Sequence, residues 1–135
     1  MQTTVTKRIT FCAGHRLYNP QFDDQKNREV FGTCSNPKGH GHNYVLEVTV
    51  CGKVDEQTGM VINLTKMKAI IEREVVTKLD HLNLNEDVDF LLGVIPSAEN
   101  LAAKIWEILD RVFVGEMLTK ITLWESENSR VEVTR

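Results

Sequence analysis

Four histidines occur in the chain, and two of them stand two positions apart in CSNPKGHGHNY, residues 34–44. In a strand, residues two apart share a face. The even positions from His40 read His40, His42, Tyr44, Leu46, Val48 and Val50, while the odd ones include Asn43, Glu47 and Thr49. This alternation predicts a strand from about His40 to Gly52 whose apolar face begins with both histidines. A third histidine ends another alternating run: Val5, Lys7, Ile9, Phe11, Ala13, His15. If the two strands are antiparallel neighbours, the end of the first lies beside the start of the second. His15, His40 and His42 then converge at the rim of one apolar face. Three imidazoles with a fourth position open are the ligand pattern of a catalytic zinc site, where the metal acts as a Lewis acid.

Other residue types invite chemistry. Cys34 has two readings: the fourth ligand of a closed structural site made with the three histidines, or a reactive thiol beside an open one. Its place in a loop between Gly32 and Pro37 favours an accessible thiol. The fourth histidine, His81, follows Asp80 in KLDHLNL. An acid can orient a histidine, and such a histidine can activate a thiol; by pattern alone, a turn ending a helix explains the pair better. Glu125, in LWES, shares a strand face with Ile121 and Leu123. A carboxylate on an apolar face needs a partner, either an arginine or a ligand with paired N–H donors, such as a 2-aminopyrimidinone ring. Cys12 and Cys51 lie within strands and read as small apolar residues.

Several elements must position these groups. Residues 19–39 are polar, with Pro20, Asn27, Pro37 and Gly39, and read as a long loop. From Asn63, a good N-cap, Leu64, Met67, Ile70, Ile71, Val75 and Leu79 fall at helical spacing. A second helix starts after Ser97, with Glu99 in its first turn and Leu101, Ile105, Ile108, Leu109 and Val112 inward. Two strands close the chain, about Lys120–Glu125 and Arg130–Thr134. The order ββααββ predicts an α+β fold, an antiparallel sheet with both helices on one face. Residues 1–135 are expected to form a single domain.

Composition narrows the function classes. With 41% apolar and 26% charged residues the chain is an ordinary globular sequence. With a net charge of −3 and scattered Lys and Arg, nothing suggests a nucleic-acid partner, and none is expected. No stretch nears the roughly 20 apolar residues that span a bilayer, and MQTTVTKRITF lacks a signal-peptide core. An odd set of three cysteines then points to free thiols in a reducing, cytoplasmic setting.

Taken together, RITFCAGHRL, VFGTCSNPKGHGHNY, GKVDEQTGMVINL, LDHLNL, PSAENLA and LWESEN resemble the 6-pyruvoyl-tetrahydropterin synthase family, in the family's order and from about Thr6 to Val133. The resemblance implies the tunnelling fold, four antiparallel strands with two helices on one face. Three subunits join their sheets into a barrel and two trimers stack into a homohexamer, which removes the open sheet edges. It implies His15, His40 and His42 as ligands of Zn2+ and Cys34 as base. Asp80 and His81 would complete a Cys–His–Asp relay, reversing the preference for a simple turn. Glu125 would anchor the pterin, with Ser97 and Glu99 as further substrate contacts. The implied reaction is that of a lyase in tetrahydrobiopterin biosynthesis. 7,8-Dihydroneopterin triphosphate loses triphosphate and its side chain rearranges to give 6-pyruvoyl-tetrahydropterin, with no external redox cofactor. Arg16 and Lys38, beside the ligands, are candidates for the triphosphate. The chain departs from the family pattern at Ala98, where many members have Thr, at Cys12 in place of Ser, and in its VEVTR ending.

Two rivals remain. A 6-carboxy-tetrahydropterin synthase, on the same fold and substrate in deazapurine synthesis, typically places its cysteine four positions before HGH; here the interval is six. A non-catalytic zinc-stabilised binding module would use Cys34 with the three histidines as a closed site.

Overall fold

The computed structural model describes residues 1–114 and 116–135. Strand β1, Thr3–His15, pairs antiparallel with β2, His40–Gly52. Strand β2 pairs antiparallel with β4, Met117–Ser126, and β4 with β5, Ser129–Thr134. These are the four expected strands, with β1 and β4 longer at their N-terminal ends. A fifth, β3, contains only Leu82–Asn83 and runs parallel to Ala13–Gly14 of β1, so the sheet is mixed, in the order β3-β1-β2-β4-β5. Two residues are too few to alternate, so no strand is expected there from the sequence.

The two expected helices are α2, Leu64–Glu74, and α3, Ala98–Val112. Asn63 caps the first by accepting from the Thr65 and Lys66 amides; Ser97 caps the second by accepting from the Asn100 amide. Helix α2 is shorter than the apolar spacing suggests. Val75 leaves helical geometry at φ −126°, and Val76–Lys78 form a single 3-10 turn that still buries Leu79. A further helix, α1, Asp24–Phe31, occupies the segment 19–39 expected to be loop. It is capped by Asp23, which accepts from the Lys26 amide, but it buries only Asn27. A helix with so little apolar surface has no 3.6-residue pattern to detect.

Helix α2 packs on β1, and α3 on β4 and β5. The core between them draws Ile9, Phe11 and Ala13 from β1, Tyr44, Leu46, Val48 and Val50 from β2, and Ile121 and Leu123 from β4. Met67 and Ile71 of α2 and Leu101, Ile105 and Leu109 of α3 fill it from above. Alternation therefore places the odd residues of β1 and the even residues of β2 on the covered face. Cys12 is exposed on the other face, contrary to the reading of it as a packed apolar residue.

Candidate metal centre and active site

The β1–β2 ladder sets His15 directly opposite His40, and His42 opposite Ala13. Their rings meet nearly perpendicular to one another, with centroids 4.8–5.1 Å apart. The tight approach depends on Gly39, which takes φ +67° and lies so close to β1 that a Cβ would stand 2.5 Å from the His15 carbonyl oxygen. Only glycine meets both demands, and it delivers the chain into β2 at His40.

His15 is buried and held by α3: its Nδ1 lies 2.8 Å from the Pro96 carbonyl oxygen, just before the Ser97 cap. An Nδ1–H donor there leaves Nε2 free as a lone-pair ligand, the orienting contact usual for metal-binding histidines. That Nε2 is 3.3 Å from His40 Nε2, and two nitrogens bound tetrahedrally at about 2.0–2.1 Å from zinc stand about 3.3–3.4 Å apart. His42 Nε2 is buried with no hydrogen-bond partner among the described residues. A buried polar atom without a partner is costly, and a metal ion would satisfy it. The candidate ligand atoms of the three histidines all lie within 4.8 Å of one another, and Cys34 is not among them. The donor set therefore fits an ion held by three imidazoles.

Burial holds the His15 imidazole below its ordinary value of 6.5, against the upward pull of the Pro96 contact and the Glu125 charge. Burial lowers His42 as well, with Glu125 again opposing. Both effects favour the neutral, ligating form. Glu125 follows Ile121 and Leu123 on the inward face of β4, at the register irregularity between Trp124 and Ser126. Its Oε1 is 3.7 Å from His42 Nε2, and no arginine or lysine pairs with it among the described residues. The Tyr44 hydroxyl is buried without a hydrogen-bond partner among the described residues, and burial first, then the Glu125 charge, raises its pKa. The strand pattern marks Tyr44 only as core and gives no hint that its polar end lacks a partner.

The other candidates lie around this cluster. Cys34 is partly exposed in the 3-10 turn Gly32–Ser35, and its carbonyl accepts from the Leu17 amide. Asp80 and His81 lie along the free edge of β1. Asp80 Oδ1 accepts from the Cys12 amide at 2.9 Å, and the His81 amide donates to the Cys12 carbonyl at 2.6 Å. His81 is the one non-glycine residue with positive φ, +63°, among the described residues. Its imidazole is 79% exposed and 3.8 Å from Asp80, so the pair does not hydrogen-bond. Within one chain no hydrogen bond or ion pair joins Asp80 or His81 to Cys34 or to the three histidines among the described residues. Ser97 is engaged as the α3 cap, Glu99 is exposed, and Ala98 is buried. Arg16 is engaged within its own chain, while Lys38 is exposed.

A family model for 6-pyruvoyl tetrahydropterin synthase matches residues 4–135. The chain belongs to that family. It is 45% identical over 130 residues to the 6-pyruvoyl tetrahydrobiopterin synthase of Pongo abelii and 43% identical over 130 residues to that of Homo sapiens. Each match covers 96% of this chain and 90% of the relative. A solved structure of the Caenorhabditis elegans 6-pyruvoyl tetrahydropterin synthase superposes with a TM-score of 0.90 at 35% identity, covering 100% of this chain and 96% of that one. The synthase fold is thus shared along its length, with the small β3 and α1 added to the four strands and two helices expected.

The lowered imidazole values carry a pH dependence. With folded values below unfolded ones, the unfolded chain takes up protons first as pH falls. The contribution is intact above 6.5 and is lost as pH falls through the folded values. In metal-free protein the urea midpoint is expected to drop between about pH 7.5 and about pH 5.5, and to drop less in His15→Gln. An equal drop in both proteins would contradict this.

Proposed function

We propose that the protein is a zinc-dependent 6-pyruvoyl-tetrahydropterin synthase, converting 7,8-dihydroneopterin triphosphate to 6-pyruvoyl-tetrahydropterin with loss of triphosphate. The observation that carries this reading is a three-histidine cluster that leaves Cys34 out, in a chain of this family. A structural zinc site would have drawn the cysteine in as fourth ligand. The six-residue interval from Cys34 to His40 favours the pyruvoyl product over the carboxy product of the deazapurine branch.

His15, His40 and His42 would hold the zinc, which would supply Lewis-acid polarisation of the substrate side chain. Cys34, on an accessible loop, takes a carbon-bound proton from the substrate side chain and returns one to the neighbouring carbon. Glu125 has no cationic partner among the described residues and can accept two parallel hydrogen bonds from the N–H edge of the pterin, fixing the ring beside the cluster. Ser97 and Glu99, at the start of α3, complete the pterin contacts. The exposed edge histidine His81, backed by Asp80, forms the relay to Cys34 across a subunit boundary. Strand β1 from Thr3 to Phe11 has no strand partner on its outer side among the described residues, and β5 has none beyond β4. Such edges favour closure with further copies, here a homohexamer built as a dimer of trimers. No described helix is long and apolar enough to cross a membrane, and we place the protein in the cytoplasm.

Zinc-loaded protein incubated with 7,8-dihydroneopterin triphosphate is expected to yield the pyruvoyl product by mass spectrometry. Cys34→Ala should keep its zinc and fold while losing about 10²–10⁴-fold in turnover. Loss of zinc from that variant would contradict the assignment. The shared relay makes a second prediction. Co-refolding inactive Cys34→Ala with inactive His81→Ala should restore about one site in four if each site draws on two subunits, and none if each lies within one.

A further inference from the structure

Arg16 follows a metal ligand directly, yet its side chain turns to the loop that carries Cys34. Its Nε donates to the Ser35 carbonyl at 2.8 Å, and its guanidinium stacks over the Tyr18 ring at 4.1 Å. The next residue, Leu17, donates its amide to the Cys34 carbonyl at 2.8 Å. Residues 15–17 therefore hold, in sequence, the metal cluster, the carbonyl after Cys34 and the carbonyl of Cys34. Arg16 is itself gripped: Asn85 Oδ1 accepts from its amide at 2.7 Å, and Asn85 Nδ2 donates to its carbonyl at 2.8 Å. One side-chain amide thus replaces a missing strand partner just past the end of β3. Ser35 is buried and donates its hydroxyl to the Gly32 carbonyl, closing the turn from the other side.

We infer that Arg16 and Asn85 are positioning residues for Cys34, a strap that fixes the thiol relative to the metal-ligand strand. The inference rests on Cys34 being the base of the proposed reaction. Cys34 lies in a short loop turn, and loops place groups less tightly than strands do. The hydrogen bonds from the end of β1 and from Asn85 supply what the turn lacks. A base displaced by about 1 Å can cost about 10²-fold in rate, so such a strap has a measurable effect. Arg16 in this role is neither a catalytic residue nor primarily a triphosphate contact.

The test compares Arg16→Met, Arg16→Lys and Asn85→Ala with wild type. Readouts are kcat and KM with 7,8-dihydroneopterin triphosphate, metal content, and iodoacetamide alkylation at Cys34 mapped by mass spectrometry. Arg16→Met and Asn85→Ala should retain metal and keep KM within about threefold while kcat falls about 10- to 100-fold. Cys34 should alkylate faster in both, with Cys12 unchanged as internal reference, and Arg16→Lys, which keeps a donor, should recover most of the loss. A rise in KM of about tenfold or more at constant kcat would make Arg16 a substrate contact and overturn the inference. Unchanged alkylation in both variants would overturn it too. If Arg16→Met does not fold, Asn85→Ala decides, since it leaves the guanidinium in place. Alkylation reads the strap without turnover, so an inactive wild type would refute the proposed reaction and still leave the strap to be judged.

Discussion

His15 stands opposite His40 at the end of a thirteen-residue antiparallel ladder, and the rest of the site follows from that register. A slip of one residue would turn every inward side chain of β1 outward. The buried residues Ile9, Phe11 and Ala13 of β1 and Tyr44, Leu46, Val48 and Val50 of β2 hold that register. The same hydrophobic burial that forms the core therefore brings three imidazoles together at its rim. Gly39 and the Pro96 carbonyl then set the final approach and the ring orientation. The cluster is a consequence of strand pairing and costs the core little, because it lies where the apolar face ends.

Much of this was legible because strands broadcast their faces. The alternation in 5–15 and 40–50 identifies both ligand-bearing faces, and two good caps mark the starts of α2 and α3. What escapes is carried by groups without periodicity. Helix α1 buries one asparagine, so nothing repeats at helical spacing. Strand β3 is too short to alternate, yet its backbone bonds continue from His81 to Leu84 along the edge of β1. The contacts of Asn85 with Arg16 and of Pro96 with His15 involve main-chain atoms, which residue types do not announce. Alternation correctly turns Glu125 inward, but its neighbour is a histidine rather than an arginine.

The strip from Asp80 to Asn85 ties these parts together. It runs beside the ligand-bearing end of β1, holding Cys12 through Asp80 and His81 and Arg16 through Asn85. His81 takes a left-handed conformation there, a strained choice for a residue with a Cβ and one that collects at functional positions. Its imidazole consequently points away from its own chain's core and is exposed at the sheet edge. The unpaired stretch of β1 and the outer side of β5 present matching needs for partners. An oligomer that closes the sheet would cover both edges.

Three imidazoles and no thiolate would hold the metal in the proposed site. X-ray absorption at the zinc edge of the loaded protein tests it most directly. A three-histidine site gives nitrogen or oxygen neighbours at about 2.0–2.1 Å and no sulfur. A sulfur neighbour at about 2.3 Å would place Cys34 on the metal, making the site a closed structural one and removing the base from the proposed reaction.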